Sequence, residues 1–138
     1  MTRDAYLRPN RLEDVIFLIQ YLGMGEHYAM EKAGGPPEEV GPRSASDGQW
    51  VSIAREHPEF FRVTDAESVT LAQRYYRRNG QGKPPPLQVG EVQQLIQNAI
   101  SLQERQAKRS EVWKTWATFI AAVVAAVSGI VQLFLRSK

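Results

Sequence analysis

The sequence predicts a mainly α-helical chain with one small β-hairpin, closed at its C-terminal end by a helix that spans a membrane. Three observations carry that reading. From Trp116 to Leu135 no residue is formally charged, and a helix of that length is roughly 30 Å long, about the hydrocarbon thickness of a bilayer. Leu12, Val15, Ile16, Ile19 and Leu22 recur at the spacing of one helix face. Phe61 and Val63, then Val69 and Leu71, alternate as short strands do.

The first helix starts from Asn10-Arg11-Leu12-Glu13, which reads as a capping box with Asn10 at the N-cap and Glu13 at N3. Gly23 and Gly25 end it. Glu26 to Ala33 reads as a short second helix, and Gly34-Gly35-Pro36-Pro37 with Gly41-Pro42 as a solvated loop. Ser46-Asp47 opens a helix with Trp50, Ile53, Ala54 and His57 on one face, and Pro58 stops it. A hairpin follows, Phe61–Thr64 and Ser68–Gln73 around Asp65-Ala66-Glu67. Together these elements predict a domain over 1–78. Residues 79–90, rich in Gly and Pro, read as a linker.

Residues 91–112 read as a helical stalk with Val92, Leu95, Ile96, Ala99, Ile100 and Leu102 on its apolar side. That side needs cover, either from the domain or from another copy in a coiled coil. Residues 113–135 then form the predicted span and 136–138 a short tail. Trp113, Trp116 and Phe134 sit near the two ends of the span, as interfacial aromatics do. Arg105, Lys108, Arg109 and Lys114 outnumber Arg136 and Lys138, which favours a cytoplasmic N-terminal domain on a single-pass tail anchor. The first ten residues lack the apolar core of an export signal. Ala121, Ala125 and Gly129, and likewise Ala122 and Ala126, stand four apart; such small residues let helices pack closely in lipid and imply a homo-oligomer.

Helix, loop, helix, short turn and a two-stranded wing is the order of a winged-helix domain. The segments Trp50–Val63 and Ser68–Tyr75 resemble the latter half of such modules. The resemblance covers roughly residues 10–78 and implies a module that binds nucleic acid or protein. The helix that would read DNA offers Gln49, Ser52, Arg55 and Glu56, where that family's DNA readers show several cations and amides.

The densest basic-aromatic cluster is Arg74, Tyr75, Tyr76, Arg77 and Arg78, with Lys83 nearby. Three readings compete: phosphate contact with base stacking, attraction to anionic lipid, or a strand end with tyrosines packed inward. Trp50, Phe60 and Phe61 read as core anchors, and His27 and His57 as packing or surface residues. No phosphate loop, metal-ligand spacing, nucleophile motif or cofactor motif appears in the sequence, so the expectation is a non-enzyme with no metal and no cofactor. The net charge of +2 predicts no global attraction to polyanions. The resulting reading is a membrane-anchored adaptor or sensor that binds a protein partner. The alternatives are a membrane-disrupting effector of a stress or phage (antiviral) defence system, and a membrane-tethered nucleic-acid-binding protein.

Overall fold

A computed structural model describes residues 5–30, 44–46, 49–77 and 82–136, with side chains described as far as Ala122. A 3-10 turn, Ala5–Leu7, precedes α1 (Arg11–Met24), β1 (Ala29–Met30), α2 (Trp50–Glu56), β2 (Phe61–Val63), β3 (Val69–Leu71), α3 (Ala72–Tyr76) and α4 (Val89–Arg136). The three strands form an antiparallel sheet in the order β1-β3-β2. Contacts divide the chain into two units, Met1–Glu104 and Arg105–Lys138.

The apolar period of α1 places Val15, Leu18, Ile19 and Leu22 in the core of the first unit, all at 0% exposure. The expected capping box does not form. Asn10 takes the left-handed conformation at φ 60° and makes no side-chain cap bond, a backbone region asparagine tolerates better than most residues. Its amide donates instead to the Ala45 carbonyl at 3.1 Å. Asp14, one turn later, is buried and accepts from the Ala45 and Ser46 backbone N–H groups at 2.6 and 3.0 Å and from the Ser46 hydroxyl. Ser46 therefore fastens its segment to α1, and the next helix opens only at Trp50.

Two further elements differ from the sequence reading. Ala29 and Met30 are a strand, where a helix was expected, because they pair with Thr70 and Val69 of β3. Residues 31–33 of that expected helix lie outside the described residues. The second hairpin strand stops at Leu71, and Ala72–Tyr76 turns into a helix. The Ala72 N–H donates to the Phe60 carbonyl at 2.8 Å, closing the hairpin where the chain leaves the sheet. All three residues of β3 are buried, as the central strand of a small sheet requires.

The start of α4 packs back on its own domain: Val92 and Ala99 are buried, with Leu95, Ile96 and Leu102 against the same core. A Cβ on Gly23 of α1 would lie 3.1 Å from the Val92 side chain. That glycine sets how closely the two helices approach. Leu87 is buried as well, and its N–H donates to the Gly23 carbonyl at 2.8 Å. The proline-rich segment before α4 thus lies against the domain at this point.

The expected membrane span is corrected by the structure. Among the described residues no helix is long and apolar enough to cross a membrane. The apolar stretch with described side chains, residues 112–122, continues a helix that carries Glu104, Arg105, Lys108, Arg109 and Glu111 just before it. As a helix that stretch covers roughly 15 Å, about half of a bilayer's hydrocarbon core. The transmembrane helix over 113–135, the tail anchor and the single-pass location with a cytoplasmic N-terminal domain fall with this finding. Ala121 and Ala122, expected to pack helices in lipid, are exposed on α4, and among the described residues there is no span for them to serve. The side chains of Ala125 and Ala126, and the surroundings of Gly129, lie outside what is described.

Candidate interaction surfaces

The basic-aromatic cluster is taken apart by the fold. Arg74 is 1% exposed. Its guanidinium donates from Nη1 to the Leu22 and Gly25 carbonyls, both at 2.8 Å, and from Nε and Nη2 to the Pro84 carbonyl at 3.3 and 3.2 Å. The Leu22 and Gly25 carbonyls belong to the end of α1, where helix carbonyls lack intrahelical partners and the helix dipole is negative. Burial pulls the Arg74 pKa down from its ordinary value, yet arginine stays protonated in proteins. Arg74 is thus a buried cationic cap on α1, tying that end to the segment before α4.

The remaining members diverge. Tyr75 is half-buried, with the Arg62 guanidinium 4.4 Å from its ring centroid, a cation–π geometry. Tyr76 is 74% exposed and meets Tyr75 edge-on at 5.7 Å. Arg77 forms a two-pronged pair with Glu91, Nη1 to Oε2 at 2.9 Å and Nη2 to Oε1. That pair, together with the Gln88 N–H, holds the Glu91 carboxyl below the ordinary carboxylate range. Lys83 is exposed, and Arg78 lies outside the described residues.

The cations around α2 and the β2–β3 turn are also engaged. Arg55 meets Glu67 at 3.2 Å, and Arg8 meets Glu56 at 2.8 Å. Arg11, buried beneath, reaches Glu56 at 3.5 Å. Glu67 adopts φ 57° in the turn, and its pairing with Arg55 links the turn to α2.

A buried polar knot lies where α2 ends, formed by residues that share no sequence period. Tyr6, 1% exposed, sits with its ring centroid 4.2 Å from that of His57, which is fully buried. The Tyr6 hydroxyl donates to Glu59 Oε1 at 2.7 Å, and His57 Nδ1 lies 3.2 Å from the same oxygen. A carboxylate only accepts, so Nδ1 carries the hydrogen. Burial pushes the Tyr6 phenol far above its ordinary pKa, and the bond to Glu59 adds to that shift. Burial alone would raise Glu59, but the hydrogen bonds from His57 and Tyr6 outweigh it and hold the carboxyl below its ordinary value.

A carboxyl lowered by folding contributes stability above its unfolded pKa of about 4.3, and that contribution is lost as pH falls through the folded value. Glu59→Gln is therefore expected to flatten the fall in stability below about pH 4.3, read as urea midpoints across a pH series. An unchanged acid limb would show that Glu59 carries none of it. His57 is closed to solvent, while Glu59 keeps about a fifth of its side chain exposed. Among the described residues no group of three or more His, Cys, Asp or Glu side chains is placed to hold a metal ion.

The second unit carries a surface of another kind. Val112, Trp113, Trp116, Phe119 and Ile120 are between 52% and 71% exposed. At about 100° per residue they fall within an arc of about 120° on α4. Contiguous apolar patches beyond a few hundred Å² are uncommon on monomers. Trp116 and Phe119 meet edge-on at 6.3 Å, so the face is partly ordered within its own helix. Comparison of the chain with protein-family models, with curated proteins and with solved structures finds no match.

Proposed function

We propose that the chain is a non-enzymatic adaptor whose N-terminal unit is a winged-helix-like domain that binds a protein partner and not nucleic acid. The element order α1, β1, α2, β2, β3 and the sheet order β1-β3-β2 support the winged-helix reading. The observation that carries the choice of partner is the state of the cations. Nucleic-acid binding draws most of its affinity from unpaired lysines and arginines that displace counterions. Here Arg74 is buried on carbonyls, while Arg55, Arg8 and Arg77 face Glu67, Glu56 and Glu91. The exposed parts of α2 and the turn offer Gln49, Ser52, Asp65 and Ala66 between those pairs, a near-neutral surface suited to short polar contacts with another protein.

The test is a binding titration of the full chain against single- and double-stranded DNA and RNA over a range of salt. The expected result is no saturable binding at physiological ionic strength. Binding that weakens steeply with salt and disappears in an Arg77→Ala, Lys83→Ala variant would replace this reading with a nucleic-acid one. In parallel, chemical cross-linking in cell extract should capture a protein that is lost when Ser52→Arg adds bulk and charge to the exposed side of α2.

A further inference from the structure

We propose that the exposed apolar face of α4 is a self-association surface, joining at least three copies of this chain in a helical bundle. The face is built to a coiled-coil period. Trp113, Trp116 and Ile120 follow steps of three and four residues, and in the sequence the same steps continue through Val123, Val127 and Ile130. A sustained repeat of this kind keeps one seam turned toward a partner helix along its whole length. Arg109 lies on the same line one turn earlier and marks where the seam begins.

Charge, area and width select further copies of this chain as the occupant. Within 112–122 the single charged residue is Lys114, on the opposite side of the helix from the apolar arc. An acidic partner would find no cation beside the face, whereas a second copy meets apolar surface with apolar surface and no like-charge clash. The aromatic members of the face, Trp113, Trp116 and Phe119, bury about 150–250 Å² each when covered, and Val112 and Ile120 add smaller areas. Allowing for their partial exposure, the five offer about 600 Å² per helix, or about 1,200 Å² for a pair, the lower end of stable interfaces.

The arc is wider than a two-stranded seam, because Val112 and Phe119 flank the repeat. Trp113 and Trp116 open the two alternating sets of the repeat, and the residues that follow in the sequence are β-branched, Ile120 and Val127 in one set and Val123 and Ile130 in the other. That pattern favours trimers and tetramers over parallel dimers.

The purified full chain, measured by sedimentation velocity and light scattering up to high micromolar concentration, should show three or four times the chain mass. The emission of Trp113 and Trp116 should shift to the blue as assembly proceeds. A Trp116→Glu, Phe119→Glu double variant should return to the mass of one chain while keeping its helical circular dichroism, since both residues are exposed. Lys114→Glu, with a comparable charge change on the far side, should keep the assembly. A wild-type monomer or dimer overturns the proposal, as does a monomer that binds lipid vesicles through this face. Assembly that survives the double variant overturns it too.

Discussion

Arg74→Ala is expected to destabilise the first unit by about 3–5 kcal/mol, enough to unfold a domain of ordinary stability in much of a population. The substitution removes the donors that satisfy the carbonyls of Leu22, Gly25 and Pro84. A buried acceptor stripped of its partner costs roughly 1–3 kcal/mol, and three are affected here. It also leaves a void where a long side chain was fully enclosed, and it removes a cation from the negative end of α1. Arg74→Lys separates these contributions. The ammonium keeps the charge but cannot span two α1 carbonyls and Pro84 with one planar group. It should recover part of the loss and no more. Urea midpoints of the full chain and both variants measure this. An alanine variant within about 0.5 kcal/mol of the parent would show that the carbonyls find other partners.

This arginine also marks the limit of what the sequence discloses. In the chain it stands among Tyr75, Tyr76, Arg77 and Arg78 and reads as one of several surface cations. What selects it is the placement of α1's end beside α3, a contact between residues roughly fifty positions apart. The local hint is that Arg74 follows Leu71 by three residues, so a helix over 72–76 would turn both toward the core. The same reasoning explains β1. A strand of two residues has no period of its own and exists through its pairing with Val69 and Thr70. By contrast, α1 and the hairpin were legible, because each buries a patterned side of the chain: Val15, Ile19 and Leu22 in one, Phe61, Val69 and Leu71 in the other.

The tail shows the opposite failure. The uncharged run from Trp116 satisfied a hydropathy criterion read in isolation, and a bilayer was the nearest apolar environment to hand. In α4 the described part of that run is a stripe along a helix, and a stripe calls for a neighbouring helix as readily as for lipid. The candidate surface was therefore visible in the sequence as an apolar segment. Its geometry, an arc with charge on the far side, needed the helix and its exposures.

Tyr6→Ala is expected to cost about 3–5 kcal/mol, the range for removing a fully enclosed aromatic side chain. The first ten residues are mostly polar and precede every periodic segment of the sequence. The structure puts Tyr6 at 1% exposure against His57, with its hydroxyl on Glu59. The 3-10 turn is thereby made part of the core and α2's end is tied to the N-terminal segment. Two companions divide the effect. Leu7→Ala, at a neighbouring exposed position, should change stability by no more than about 0.5 kcal/mol. Tyr6→Phe keeps the ring and removes one of Glu59's two side-chain donors, costing about 1–2 kcal/mol near neutral pH. Because that donor helps hold the Glu59 carboxyl down, its removal should raise the folded pKa and move acid unfolding to higher pH. A deletion of residues 1–8 should behave as Tyr6→Ala does. If the deletion leaves the urea midpoint unchanged, the N-terminal turn contributes nothing to the fold, and the knot at Glu59 must be held by His57 alone.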